Sequence, residues 1–342
     1  MPKNQEPHRI RIEEVAALAG VSTATVSRVL NKKGIVAPET AERVFASVTE
    51  LGYVPHAAAR GLASRKTNTL GILFPEISGV FFSALLRGIE TYVAANGYSL
   101  LLYATQGRIL DPHDPPPLNE SNCDGLIIFT DSLSEAHIRH LHGRGFPLVI
   151  LHRTPPEGVA IPCITFENKN GARQMVEHLL SVHGYRRIAY LAAAGVEDSH
   201  WREMGYREAL AAHSIPFDPV LVGMGQFDAH LAEVVVQQWL AEGVALDAIF
   251  AGDDESARGA IRAIQQAGQR VPEDVAVVGF DDSLLSQYLT PPLTTVRAPI
   301  EEAGQGAAAH LIRLIRTGQT DMLTLLPTEL VIRRSCGCEV RD

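Results

Sequence analysis

Six charged side chains stand directly behind strand-like apolar runs in this sequence. Arg153 follows VILH, Asp198 and Arg202 follow LAAAG, Asp253 and Asp254 follow AIFAG, and Asp281 follows VVGF. Carboxylates and guanidinium groups can pair bidentately with the vicinal hydroxyls of a small polar molecule, while aromatic faces such as Phe81, Phe82 and Phe227 cover its apolar side. Any one of these charges reads equally well as a helix cap or a surface ion pair; together they describe a binding pocket. A second set lies near the start. GVSTATVSRVLN, Gly20 to Asn31, carries Ser22, Thr23, Ala24 and Thr25, then Ser27 and Arg28 one turn on. Small side chains let the leading end of a helix approach a duplex, its hydroxyls and amides hold phosphate, and a forked arginine reaches a guanine edge. A three-helix module that binds protein is the competing reading of that segment.

Other chemistries fit less well. GMGQFD, Gly223 to Asp228, puts an aspartate where a dinucleotide fingerprint needs its third glycine, and the run does not open the sheet. No G-x-S-x-G elbow occurs, so catalysis is not expected. His137, His140, His142, His178 and His183 read as members of polar helical surfaces with no compact ligand set. Cys123, Cys163, Cys336 and Cys338 are too few and scattered for a disulfide framework, and CGC is C-x-C rather than C-x-x-C. These thiols are therefore read as inert in a reducing compartment, with no metal and no cofactor.

The elements needed to position the two sets are legible as periodicity. Ile12, Val15, Ala16 and Ala19 make one apolar stripe, Gly20 turns the chain, and Ser22 caps a second helix that turns Val26, Val29 and Leu30 inward. Pro38 opens a third helix with Val44, Phe45, Val48 and Leu51 on its inner face, and Gly52 ends it. That is a helix-turn-helix unit, whose second helix can lie in a major groove. Beyond it, strand-like runs such as LGILF, DGLIIF, PLVIL, RIAYLA and VAVVGF alternate with amphipathic segments to the end of the chain. Such alternation predicts parallel sheets with helices on both faces, arranged as two doubly wound α/β subdomains. Ligands then sit beyond the carboxyl ends of the strands.

Composition agrees with that plan. The 342 residues allow two domains, and the 46% hydrophobic content can build a proper core. The net charge of −9 is unevenly spread: residues 1–66 hold ten Lys/Arg against six Glu, a net of +4 that leaves −13 for the rest. A basic head on an acidic body fits a chain that offers only its head to a polyanion. With no apolar run long enough for a bilayer and no apolar leader, the chain is expected in the cytoplasm, at the nucleoid.

The stretch VAALAGVSTATVSRVLN, continuing through VAPETAERVFASVTELGYVPHAAARGLASRKTNTLGIL, resembles the lactose-repressor/purine-repressor family of bacterial transcription regulators, and the resemblance runs to LPTELVIRRSCGC. It implies base contacts from Thr23, Ala24 and Arg28 and phosphate contacts from Ser22, Ser27 and Asn31. His56 to Ala63, including Ala59, matches a hinge helix that forms when paired on DNA, with Leu62 wedged into the minor groove. Phe81, Phe82, Arg202, Phe227 and Asp281 match effector-contacting positions. It also implies a periplasmic-binding-protein-like core whose chain crosses between subdomains near Cys163–Phe166, Val296–Pro299 and Leu325–Thr328.

The expected plan is thus a DNA-binding domain over 1–55, a hinge over 56–66 and an effector-binding and dimerisation core over 67–342. Within the core, the N-subdomain takes about 67–163 and 298–326 and the C-subdomain about 164–297 and 327–342. The implied protein is a homodimeric repressor that binds a near-palindromic operator and answers to a small effector. A carbohydrate is the first choice, a nucleobase or nucleoside acting as corepressor the second; a solute-binding protein without transcriptional role is the rival class. Two departures stand out. Ala37 replaces the family's serine cap, and the four prolines within Gly107 to Gly125 break a helix that relatives usually carry.

Overall fold

The computed structural model describes residues 10–30, 34–53 and 66–339. The chain divides into two compact units, Met1–Thr67 and Asn68–Asp342.

In the first unit, helices α1 (Ile12–Ala19), α2 (Thr23–Leu30) and α3 (Pro38–Leu51) enclose a small core of Val15, Ala16, Ala19, Val26, Val29 and Val44. The turn between α1 and α2 depends on Gly20, whose φ of 66° is left-handed. Ser22 then accepts the amide of Thr25 at 3.2 Å and starts α2. Ala37 precedes Pro38 with no side-chain cap. One inward assignment was misplaced: Phe45 is 49% exposed, and Ser47 is buried instead, its hydroxyl donating to the Arg43 carbonyl at 2.9 Å. Positions 44, 47, 48 and 51 are the true i, i+3, i+4, i+7 stripe, and a serine that satisfies itself on the preceding turn can occupy it.

The second unit holds two six-stranded sheets. The first combines β1 (Thr69–Phe74), β2 (Ser99–Ala104), β3 (Leu126–Phe129), β4 (Leu148–Leu151), β5 (Cys163–Phe166) and β11 (Leu323–Leu326) in the order β11-β5-β4-β3-β1-β2, all parallel. The second combines β6 (Ile188–Ala192), β7 (Val222–Met224), β8 (Ala248–Ala251), β9 (Ala276–Asp281), β10 (Thr294–Arg297) and β12 (Glu329–Val331) in the order β12-β10-β9-β8-β6-β7. There β12 alone is antiparallel. The chain leaves the first sheet after Phe166, returns after Arg297 and leaves again after Leu326.

Helices α4 (Val80–Ala95), α5 (Glu135–Gly143) and α10 (Ile300–Thr317) accompany the first sheet. Helices α6 (Asn168–Val182), α7 (Glu197–Ala212), α8 (Ala229–Ala241) and α9 (Asp254–Gln266) accompany the second. Close packing of α4 on α10 requires glycine on both: a Cβ at Gly88 would lie 2.0 Å from the Glu301 carbonyl, and one at Gly304 2.2 Å from that of Leu85. The proline-rich stretch 107–125 forms no helix; Leu110 bridges to Leu133, and Leu110, Leu118 and Cys123 plug one face of the first sheet. Among the described residues no helix is long and apolar enough to cross a membrane.

Candidate functional site

The carboxyl ends of the two sheets bring the polar residues together, because a parallel strand delivers the residue after it to the edge of the layer. Several of these residues are non-glycines with left-handed backbone: Thr130 after β3, His152 after β4, Gln226 and Phe227 after β7, and Asp281 (φ 110°) with Asp282 at the end of β9. Backbone held in such sparsely populated regions tends to gather where side chains must be aimed.

Arg202, on α7, is 3% exposed and forms the centre of this region. Its Nε donates to Asn168 Oδ1 at 2.9 Å and another guanidinium nitrogen donates to the Gly252 carbonyl. The group lies 3.7 Å over the Phe280 ring and 5.5 Å from that of Phe227. Its charge faces Asp281 at 3.5 Å and Asp198 at 3.9 Å. Asp198 accepts further bonds from Asn168 Nδ2 (2.8 Å) and Thr165 (3.0 Å), and contacts His152 Nδ1 at 2.9 Å. That last contact ties the loop after β4 to α7, and so joins the strand-end loops of the two sheets.

Burial and charge divide these carboxyls. Burial works against the charge of Asp198, but His152, Arg202 and the Thr165 hydroxyl outweigh it and hold the group below the usual range. Asp281 is pushed well above that range by burial, opposed by the charge of Arg202 and reinforced by the negative charges of Asp254, Asp253 and Asp198. Asp254 is lifted by burial to about 7, even against donors from Ser286, Thr295 and the Ser283 amide. One wall thus sets a carboxyl whose charge is favoured beside one whose charge is disfavoured. Two buried atoms in it have no hydrogen-bond partner, His152 Nε2 and Asp281 Oδ1.

The opposite wall is aromatic. Phe74, Phe81, Phe82 and Phe129 meet edge-on at 5.2–5.9 Å between ring centroids, and Phe81 and Phe129 reach the His152 ring at 5.7 and 5.2 Å. A cavity of about 520 Å³ opens beside both groups, bordered by Asp131, His152, Arg153, Glu197, His200 and Met224; of the residues described above it is His152 that reaches it, while Arg202, Asp281 and the phenylalanines lie behind its lining.

Of the residues singled out in the sequence, Arg202, Phe227 and Asp281 are brought into one cluster; Phe81 reaches it through the His152 ring, and Phe82 packs behind Phe81. Arg153 borders the cavity while paired with Asp131 (2.5 Å) and Glu135 (3.2 Å). Asp253 caps α9, accepting the Ser256 amide at 2.9 Å. Asp254 knots α9 to the loop after β9 and to β10. Sequence reading passed over His152 and Asn168. His152 carries the same signal as its neighbour Arg153, since it is the first residue past β4; Asn168 opens a helix and gave no signal. Asp282 pairs with Arg297 and Arg333, each at 2.7 Å, and so ties the exit of β10 to the stretch after β12.

The histidine reading needs correction at three positions. His137 is buried, not on a polar surface. His178 and His183 are half-buried and, with Cys336 and Cys338, place one ligand atom each within 4.8 Å of one another. The ends of α6 and of the chain are far apart in sequence, so spacing alone could not reveal that set.

In the first unit, Ser22, Thr23, Ala24 and Arg28 are exposed along the leading end and outer face of α2, with Ser27 half-buried beside them. Asn31, His56, Ala59 and Leu62 lie outside the described residues.

Known proteins carry the same two parts. Residues 11–56 match the profile of bacterial regulatory proteins of the lacI family, and 176–336 that of a periplasmic binding protein-like domain. The HTH-type transcriptional regulator CelR of Thermobifida fusca is 34% identical over 96% of this chain and 98% of its own. The ribose operon repressor of Halalkalibacterium halodurans is 35% identical over 95% of this chain and 96% of its own. Among solved structures, the lac repressor dimer bound to operator and the anti-inducer ONPF superposes with a TM-score of 0.80 at 28% identity, covering 96% of this chain and 99% of that one. A CelR–cellobiose complex gives 0.69 at 31% identity, covering 96% and 100%. With head, core and full-length kinship in agreement, the chain belongs to the LacI family of bacterial transcriptional regulators.

Proposed function

We propose that the chain is a homodimeric repressor whose grip on a near-palindromic operator is set by a carbohydrate bound between the two sheets. The observation that carries the ligand half is the pairing of unlike walls: Arg202 among Asp198 and Asp281 on one side, edge-packed phenylalanines on the other, with His152 Nε2 and Asp281 Oδ1 left without partners. A polyol supplies hydroxyls for the first wall and a C–H face for the second. The CelR–cellobiose complex and a LacI-family regulator from Enterococcus faecium with bound ribose support a sugar. A nucleobase or nucleoside is the second reading, favoured by the same aromatic wall.

The His152–Asp198 pair is half of a catalytic arrangement, but among the described residues no hydroxyl or thiol reaches His152 Nε2, and the relatives are regulators. Binding without turnover is therefore the reading, and kinship with DNA-binding regulators supports a cytoplasmic location. The Asp198–His152 bond is the switch contact: a ligand that takes over either partner alters how the two subdomains meet. Differential affinity for the two arrangements then shifts the DNA-competent population, and a 1:99 to 99:1 swing needs about 5.5 kcal/mol.

Two heads related by a two-fold axis read two half-sites. Arg28 is the assigned base reader. Operator duplexes selected from a random pool should bind the wild type tightly, and Arg28→Ala should lose roughly 5- to 150-fold of its preference over random duplex. The variant's thermal shift with the cognate sugar should be unchanged. Joint loss of DNA preference and sugar response would show that the two functions are not housed separately.

A further inference from the structure

At the amino-terminal edge of the second sheet, opposite the strand ends that carry the cleft, four ligating side chains converge. His178 lies in the last turns of α6, His183 in the loop leading to β6, and Cys336 and Cys338 in the turn after β12. We propose that His178, His183, Cys336 and Cys338 bind one Zn²⁺ tetrahedrally and so fasten the C-terminal segment to the second subdomain.

The geometry supports this at three levels. Both histidines present Nε2 to one sulfur: Cys338 Sγ lies 3.7 Å from His178 Nε2 and 3.4 Å from His183 Nε2. A tetrahedral ion with Zn–S near 2.3 Å and Zn–N near 2.0–2.1 Å has ligand–ligand edges of roughly 3.4–3.8 Å. Two edges are already of that size, and since all four ligand atoms lie within 4.8 Å of one another, small side-chain rotations close the rest.

Secondly, the backbone is shaped to aim both sulfurs. Gly337 has φ of 102°, and a Cβ there would stand 3.0 Å from the Tyr185 hydroxyl and 3.4 Å from the His183 ring. A glycine between the cysteines is what lets the turn press against those rings. Thirdly, the ligands have supports. His183 stacks on Tyr185 at 5.2 Å and 15°, and the Tyr185 hydroxyl donates to the Cys336 carbonyl at 3.1 Å. Thr294 donates to Cys336 Sγ at 3.2 Å. Such surrounding bonds fix ligand orientation in metal sites.

The donor set selects the ion. Two thiolates and two neutral imidazoles suit Zn²⁺ and give a complex of zero net charge, which a half-buried site tolerates. Cys336 is fully buried while Cys338 is half-exposed, so an ion has a path in. All four positions are protein ligands, the closed arrangement of a structural rather than catalytic zinc. The segment it would fasten is already stitched to the sheet: the Val277 amide donates to the Ser335 carbonyl at 3.0 Å, and the Thr294 amide to Ser335 Oγ at 2.8 Å.

The test uses the untagged, full-length protein purified under reducing conditions. Elemental analysis should find one zinc per chain. After removal by chelator, Co²⁺ should restore strong visible bands of a tetrahedral centre together with thiolate-to-cobalt charge transfer. Added Zn²⁺ should raise the melting temperature of the metal-free protein. Cys338→Ser, at a half-exposed position, should lose the charge-transfer band of its thiolate and at least tenfold in zinc affinity, and His183→Asn should behave likewise. His140→Ala, on α5, should match the wild type in both. Less than a tenth of an equivalent of zinc after reconstitution, or equal Co²⁺ spectra for the wild type and Cys338→Ser, would overturn the assignment. Neither result would bear on operator binding or sugar response, which rest on other residues.

Discussion

The two walls of the cleft are built from opposite materials. The side belonging to the first sheet packs Phe74, Phe81, Phe82 and Phe129 against one another and needs no partner beyond neighbouring rings. The side belonging to the second sheet buries Arg202 with Asp198, Asp253, Asp254 and Asp281, a cluster richer in carboxyls than in cations. Apolar packing is indifferent to pH and tolerates change of shape; a buried ionic network depends on every member being present. On the proposed function a division of labour follows: one wall would supply area to a ligand, the other direction.

The most severe way to break that contrast is Arg202→Ala. It removes the only guanidinium facing Asp198 and Asp281 among the described residues, and about 3–5 kcal/mol of stability should go with it. Urea unfolding of the core measures this, and an unchanged midpoint would mean the carboxyls do not need the arginine. A repressor that still folds should stay on its operator at any sugar concentration.

A milder lever is pH. Asp281 and Asp254 hold protons more tightly folded than unfolded, Asp254 to about 7. A raised folded pKa gives stability that is complete below the ordinary carboxylate range and is lost as pH climbs toward the folded value. Each group removes at most ~1.4 kcal/mol per pH unit over that window. Asp281→Asn should flatten its share of the decline while leaving the molecule folded; a slope identical to that of the wild type would show that the carboxyl is ionised in both states.

The smallest effect belongs to the aromatic side. Phe81→Leu nearly conserves volume, so stability should change by less than about 1.5 kcal/mol and show no pH dependence. Sugar affinity, read by calorimetry, should weaken roughly 2- to 10-fold through loss of the ring face. A drop in affinity as large as that from Arg202→Ala would erase the distinction between the walls.

Periodicity and punctuation made most of the fold readable. Strand-like runs alternating with amphipathic segments forecast the parallel sheets, and Ser22, Pro38 and Gly52 marked helix ends where the structure has them. Phe45 escaped because hydrophobicity was weighed above phase, when Ser47 kept the helical register. Strand-end position pointed to Arg202 and Asp281, which the structure clusters, but could not tell a carboxyl of that cluster from one that holds the backbone. Asp253 and Asp254 follow the same strand, yet one caps a helix and the other knots three segments. The His–Cys set was illegible because its members come from helix, loop and tail, joined only by tertiary packing.

Asp282 has a mechanical consequence. It grips Arg297, at one strand joining the two halves of the core, and Arg333, just past another, so a single carboxylate rivets two of the three connecting strands to each other. Bending at one of these connections therefore loads the other. Any rearrangement of the halves must carry both connections together or break an ion pair at Asp282.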